Sequence, residues 1–93
     1  MTVRRLRSQE AQHVESGVVL GSLDRGTMSL ELGENAMTVP VDRGLDRTCY
    51  ILPATPRWDD GEPVPPELAV QLQSIIAEIA RFWGQEPEFE IHN

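Results

Sequence analysis

Cys49, His13 and His92 are the residues of this chain with ready nucleophilic or metal-binding chemistry near neutral pH. They stand far apart in sequence, whereas a zinc-type site usually shows closely spaced ligands. Cys49 falls inside a segment that reads as a strand, where a cysteine behaves as a small buried hydrophobe and not as an activated thiolate. Ser8, Ser16, Ser22, Ser29 and Ser74 sit in no nucleophile-elbow context, and the sequence holds no glycine-rich phosphate loop. Asp59, Asp60 and Glu62 cluster beside Trp58. As a general acid and base they would need one carboxylate in an apolar pocket and another in a wet one. As a calcium loop they span too short a stretch. No catalytic group, metal or cofactor is expected.

The same residues suit a contact surface better. Arg57 offers a forked donor, Trp58 a large apolar area, and Asp59, Asp60 and Glu62 a target for a basic partner. Tryptophan and arginine dominate interface energies, and flanking prolines lower the entropy lost on binding. Arg57, Trp58, Asp59, Asp60 and Glu62 are therefore the candidate partner-binding set. The alternative for Trp58 is that it folds back over the edge of the core while the prolines only shape the turn.

The elements that must hold this loop are legible from periodicity. Residues 1–16 fit no clean period and read as an N-terminal arm, flexible or forming a short helix, ahead of one domain over 17–93. Residues 18–23 read as a strand covered on both faces. Met28, Leu30 and Leu32 then alternate with polar partners, and Met37, Val39 and Val41 answer them across a Gly33-Glu34-Asn35 loop, which predicts a hairpin. Residues 47–52 are rich in β-branched and aromatic types and predict a fourth strand. The proline-rich stretch 53–66 has no period and reads as a long loop. After Pro65-Pro66 and up to Trp83, apolar residues recur at spacings of three and four (Leu68, Leu72, Ile75, Ile76, Ile79, Phe82, Trp83). This predicts one amphipathic helix of about 25 Å, ended by Gly84. After Pro87, Phe89 and Ile91 alternate with acids as a last strand. The expected architecture is α+β, in the order β-β-β-β-α-β. An antiparallel or mixed sheet of about five strands carries the helix on one face.

Composition narrows the partners. The 93 residues carry 15 acids against 8 basic residues, for a net charge of −7. All eight are arginines. Such a charge argues against nucleic acid as the main partner and steers in basic ones. The single cysteine forms no intramolecular disulfide, the basic N-terminal stretch has no apolar run behind it, and no segment is long enough to span a bilayer. A cytoplasmic protein without a membrane partner is expected. An open sheet edge would be compatible with a homodimer.

The hairpin RGTMSLELGENAMTVPV, the strand RTCYIL, the loop RWDDGEPVPPE, the helix and the closing EFE together resemble the immunity protein 74 family over about residues 25–91. Trp58 followed by an acidic, glycine- and proline-containing stretch is the most distinctive part. Prolines commonly follow that tryptophan in the family, whereas Asp59 and Asp60 follow it here. The resemblance implies a non-catalytic bacterial protein that binds and neutralises a polymorphic-toxin domain. An acidic surface would suit a toxin that itself handles nucleic acid, since such enzymes present a basic cleft. The alternative is a small adaptor or structural subunit of another complex.

Overall fold

The computed structural model of the protein describes residues 2–7, 9–45 and 47–92; Ser8 and Asp46 lie outside them. The elements are β1 (Val3–Arg7), β2 (Glu10–His13), β3 (Val19–Asp24), β4 (Thr27–Leu32), β5 (Asn35–Arg43), β6 (Arg47–Pro53), α1 (Pro66–Ala69), α2 (Leu72–Phe82) and β7 (Glu86–His92). The α+β class holds. The sheet, however, has seven strands in place of the five expected, in the order β1-β2-β3-β4-β5-β6-β7.

The two additional strands come from the segment read as an arm or short helix. Val3 pairs with His13 and Arg5 with Ala11, and β2 continues onto β3 through Ala11 and Leu20. Both Ala11 and His13 are buried. The apolar period is weak here because β1 contributes a run of arginines and β2 buries an alanine and a histidine, neither a strong strand signal.

β5 is the longest strand and turns the sheet's corner. Its first part, 35–40, pairs with β4, while Val41, Asp42 and Arg43 pair with Tyr50, Cys49 and Thr48 of β6. Pro40 lies where one partner gives way to the other, and a proline has no N–H to donate there. The expected hairpin is present, but its turn is shorter. Leu32 pairs directly with Asn35, which leaves Gly33 and Glu34 as a two-residue turn with Gly33 at φ 62°. Positive φ at the first turn position alone is the type II′ pattern.

The predicted single helix is divided. α1 ends at Ala69, and the Gln71 N–H bonds the Leu68 carbonyl, three residues back. Val70 and Gln71 have ψ of −15° and −8°, flatter than an α-helix requires. α2 is eleven residues long, about 16 Å at 1.5 Å per residue and shorter than the helix expected. It buries Leu72, Ile75, Ile76, Ala77, Ile79 and Ala80. Burial of a large aliphatic side chain stabilises by roughly 1.5–3 kcal/mol before entropy is counted. α2 touches β7 at one end of the strand order and β1 and β2 at the other, so the sheet curls around it. The chain then returns parallel to β6, pairing Tyr50 with Phe89. The Cα radius of gyration is 12.1 Å.

Candidate functional site

The 57–62 loop closes the gap that β5 leaves when it changes partner. The Asp59 N–H bonds the Ala36 carbonyl at 2.8 Å. Its carboxylate accepts from the Thr38 N–H at 3.1 Å and the Thr38 hydroxyl at 3.3 Å. Within the loop, the Trp58 N–H bonds the Glu62 carbonyl and the Arg57 guanidinium donates to the Gly61 carbonyl at 2.9 Å. Asp60 accepts from the Glu62 N–H at 2.9 Å. Gly61 takes φ 94°, a conformation that favours glycine.

The structure therefore divides the predicted set. Trp58 is 5 % exposed and belongs to the core cluster. The reading of Trp58 as an exposed contact anchor is corrected: it folds back over the core, because the bridge between Arg57 and Pro63 and the bonds to β5 direct it inward. Arg57, Asp59, Asp60 and Glu62 are exposed. Three of the four already have local partners, and Asp59 acts as the clasp to β5.

A second acidic surface was not singled out by sequence. Register places Asp42, Cys49 and Glu88 side by side across β5, β6 and β7, with Arg47 opposite Glu86 and Ile51 opposite Glu90. Period two then assigns these residues to one face and Val41, Tyr50 and Phe89 to the other. Glu86, Glu88, Glu90 and Asp42 are exposed. Arg47 pairs with Glu88 at 3.0 Å and His92 with Glu90 at 2.8 Å. Cys49 registers the local field. It is partly buried, not fully buried as expected, and its thiol is pushed up by desolvation first and then by Glu90, Glu88 and Asp42.

The opposite face of the same strands borders a solvent-facing cleft of about 300 Å³, lined by Arg5, Ser22, Met28, Arg43, Thr48, Tyr50, Phe82, Trp83 and Gln85 together with Gln9. The end of α2 builds one wall. Gly84, at φ 78°, donates to the Arg81 carbonyl and Gln85 to the Ala80 carbonyl, a Schellman turn that satisfies the last helical carbonyls. The turn delivers Gln85 to the Thr48 hydroxyl at 3.1 Å and the Tyr50 hydroxyl at 3.5 Å. Tyr50 is fully buried and stacks on Phe89 with ring centroids 5.8 Å apart. Burial pushes its phenol up, with Arg43 pulling the other way.

The histidines occupy different surroundings. His13 is buried, with Nε2 2.6 Å from a Glu78 oxygen and Nδ1 2.7 Å from the Ser16 hydroxyl, so it ties β2 to α2. His92 lies exposed on β7. Among the described residues no group of three or more histidines, cysteines or acids is placed to hold a metal ion, and no helix is long and apolar enough to cross a membrane. Compared with known proteins, the chain matches no family model, no curated protein and no solved structure.

Proposed function

We propose that this is a non-catalytic binding protein whose acidic outer face, formed by Asp42, Glu86, Glu88 and Glu90, docks onto a basic partner protein. The observation that carries the reading is the register of β5, β6 and β7, which gathers these carboxylates on one exposed face beside the open edge of β7. The sheet fixes the spacing of these carboxylates at the backbone, so their charges form a defined pattern for a guanidinium or ammonium to meet. Asp60 and Glu62 of the loop add exposed acids, while Trp58 supports the fold beneath them.

The class of partner rests on the resemblance of residues 25–91 to the immunity protein 74 family together with the net charge of −7. It is a toxin domain made by the same cell, with a basic cleft of the kind that handles nucleic acid. Occupying that cleft with carboxylates would block its substrate without any chemistry by this protein. The test is co-expression with the C-terminal domain of the large protein encoded beside this chain's gene, with survival and copurification read together. Rescue with a one-to-one complex is expected. Toxicity that this protein leaves unrelieved, or survival in its absence, would overturn the reading for that pair. Copurification with a housekeeping assembly instead would identify an adaptor subunit.

A further inference from the structure

The cleft at the end of α2 combines features that its structural role does not use. Arg5 and Arg43 both line it, and neither has an ion-pair partner among the described residues. Arg43 is held by neutral acceptors alone: the Arg25 carbonyl at 3.0 Å, the Ser22 hydroxyl at 3.0 Å and the Met28 sulfur at 3.1 Å. It is fixed in place, and none of these three acceptors compensates its charge. Arg5 lies over the Phe82 ring, 5.9 Å from its centroid, which adds a flat cationic surface. No carboxylate is among the described lining residues, although acids outnumber basic residues by 15 to 8 in the chain.

The neutral groups share the same bias. The Trp83 Nε1–H is buried and has no acceptor among the described residues; an unmet buried donor costs about 1–3 kcal/mol. The Gln85 oxygen receives both the Thr48 and Tyr50 hydroxyls, and among the described residues no acceptor takes the amide's N–H donors. The Schellman turn occupies the Ala80 and Arg81 carbonyls, and the two arginines must outweigh the partial negative charge that a helix C-terminus carries. Donors thus exceed acceptors around a space walled by Tyr50, Phe82, Trp83 and Met28. Its volume sits at the small end of ligand pockets.

We infer that this cleft is a binding site for a small organic anion, a carboxylate carried on a flat apolar body, with Arg5 and Arg43 meeting the carboxylate and the aromatic wall meeting the body. The Arg5 fork matches a carboxylate's two oxygens, Arg43 adds its charge and its Nη1 donors while Nε and Nη2 hold it in place, and the rings favour a planar group. This site is independent of the outer acidic face and of the partner proposed for it. Free aromatic acids and the terminal carboxylate of a peptide ending in an aromatic residue share this chemistry.

The experiment is a titration of the full chain followed by its two indole N–H resonances in a nitrogen-15 correlation spectrum. Trp83→Phe assigns the pair, since Trp58 lies buried elsewhere in the core. Benzoate is expected to shift the Trp83 resonance saturably in the millimolar range or below while leaving Trp58 unmoved. Benzamide, which lacks the charge, and inorganic phosphate, which lacks the apolar body, are each expected to bind at least about tenfold more weakly, as is benzoate to Arg43→Gln. Arg5→Gln, at an exposed position, provides the same test should Arg43→Gln not fold. N-acetyl-phenylalanine against benzoate separates a peptide terminus from a free acid as the source. No saturable shift with benzoate, equal binding of benzamide or phosphate, or undiminished binding by both arginine variants would overturn the assignment.

Discussion

β5, β6 and β7 present two faces made from alternate residues of the same strands, and the faces carry opposite chemistry. Asp42, Cys49 and Glu88 look outward in one row, while Arg43 and Thr48 in the next row border the cleft and Val41, Tyr50 and Phe89 enter the core. A step of one residue along β5 moves from a surface whose carboxylates help raise the pKa of the neighbouring thiol to a guanidinium without an acidic partner among the described residues. Strand alternation thus separates charge as effectively as it separates polar from apolar. A net charge of −7 describes neither face. The outer face suits a basic protein, and the inner cleft suits an acid.

The largest way to disturb this arrangement is to remove a large side chain from the core on which these strands pack. Trp58→Ala is expected to cost about 3–5 kcal/mol in chemical denaturation, as for other large aromatics deleted from a core. A loss below about 1 kcal/mol would mean that the loop is not seated on the core. Next in size is Gly84→Ala. Space is free around that position, but an alanine Cβ at φ 78° meets its own backbone at a cost of about 1–2 kcal/mol. The same change should displace Gln85 from Thr48 and Tyr50, so thermal unfolding and the indole resonance of Trp83 should respond together.

Much of this frame was legible in sequence, for identifiable reasons. The hairpin of β4 and β5 and the apolar stripe of α2 announce themselves because each keeps a strict period over several residues. β1 and β2 do not, since β1 takes its strand character from pairing with β2, and β2 from pairing with β3 and from the His13 contact to Glu78, which links residues distant in the chain. The helix break at Val70 and Gln71 has no proline or glycine to mark it. The loop residues were found by composition, but composition could not say whether Trp58 turned in or out. That depended on Asp59 reaching Thr38 across the chain. The acidic face and the cleft depend on the register of three strands, one of which returns parallel after two helices.

A subtler test of the inner face uses alkali. The Tyr50 phenol is raised in the folded protein, so the folded state holds its proton more tightly than the unfolded chain does. Its contribution is fully present below the unfolded value near pH 10 and is lost as pH rises through the higher folded value. The chain has one tyrosine and no lysine, and the raised Cys49 thiol is common to the parent and to a Tyr50 variant. Tyr50→Phe should lie within about 1 kcal/mol of the parent at pH 7 and should lose less stability above pH 10. Parallel decline of the two proteins would show that Tyr50 does not set the alkaline limit.

The smallest effect sharpens the outer face. Alkylation of Cys49 at pH 8 should be slow, and Glu88→Gln with Glu90→Gln should accelerate it by about threefold, the scale of removing nearby charges at a surface. Most of the thiol's elevation should persist, because desolvation is its first cause. An unchanged rate would mean that these carboxylates do not set the potential at Cys49.

The most direct test is association kinetics with the proposed toxin domain, measured from low to high salt for the parent chain and for the combined variant Glu86→Gln, Glu88→Gln and Glu90→Gln. Association is expected to be fast and to slow at least about tenfold as salt rises. The variant should lose most of that rate and most of its salt dependence while remaining folded. Tight binding that ignores both salt and the three substitutions would contradict docking through this face and place the contact elsewhere on the molecule.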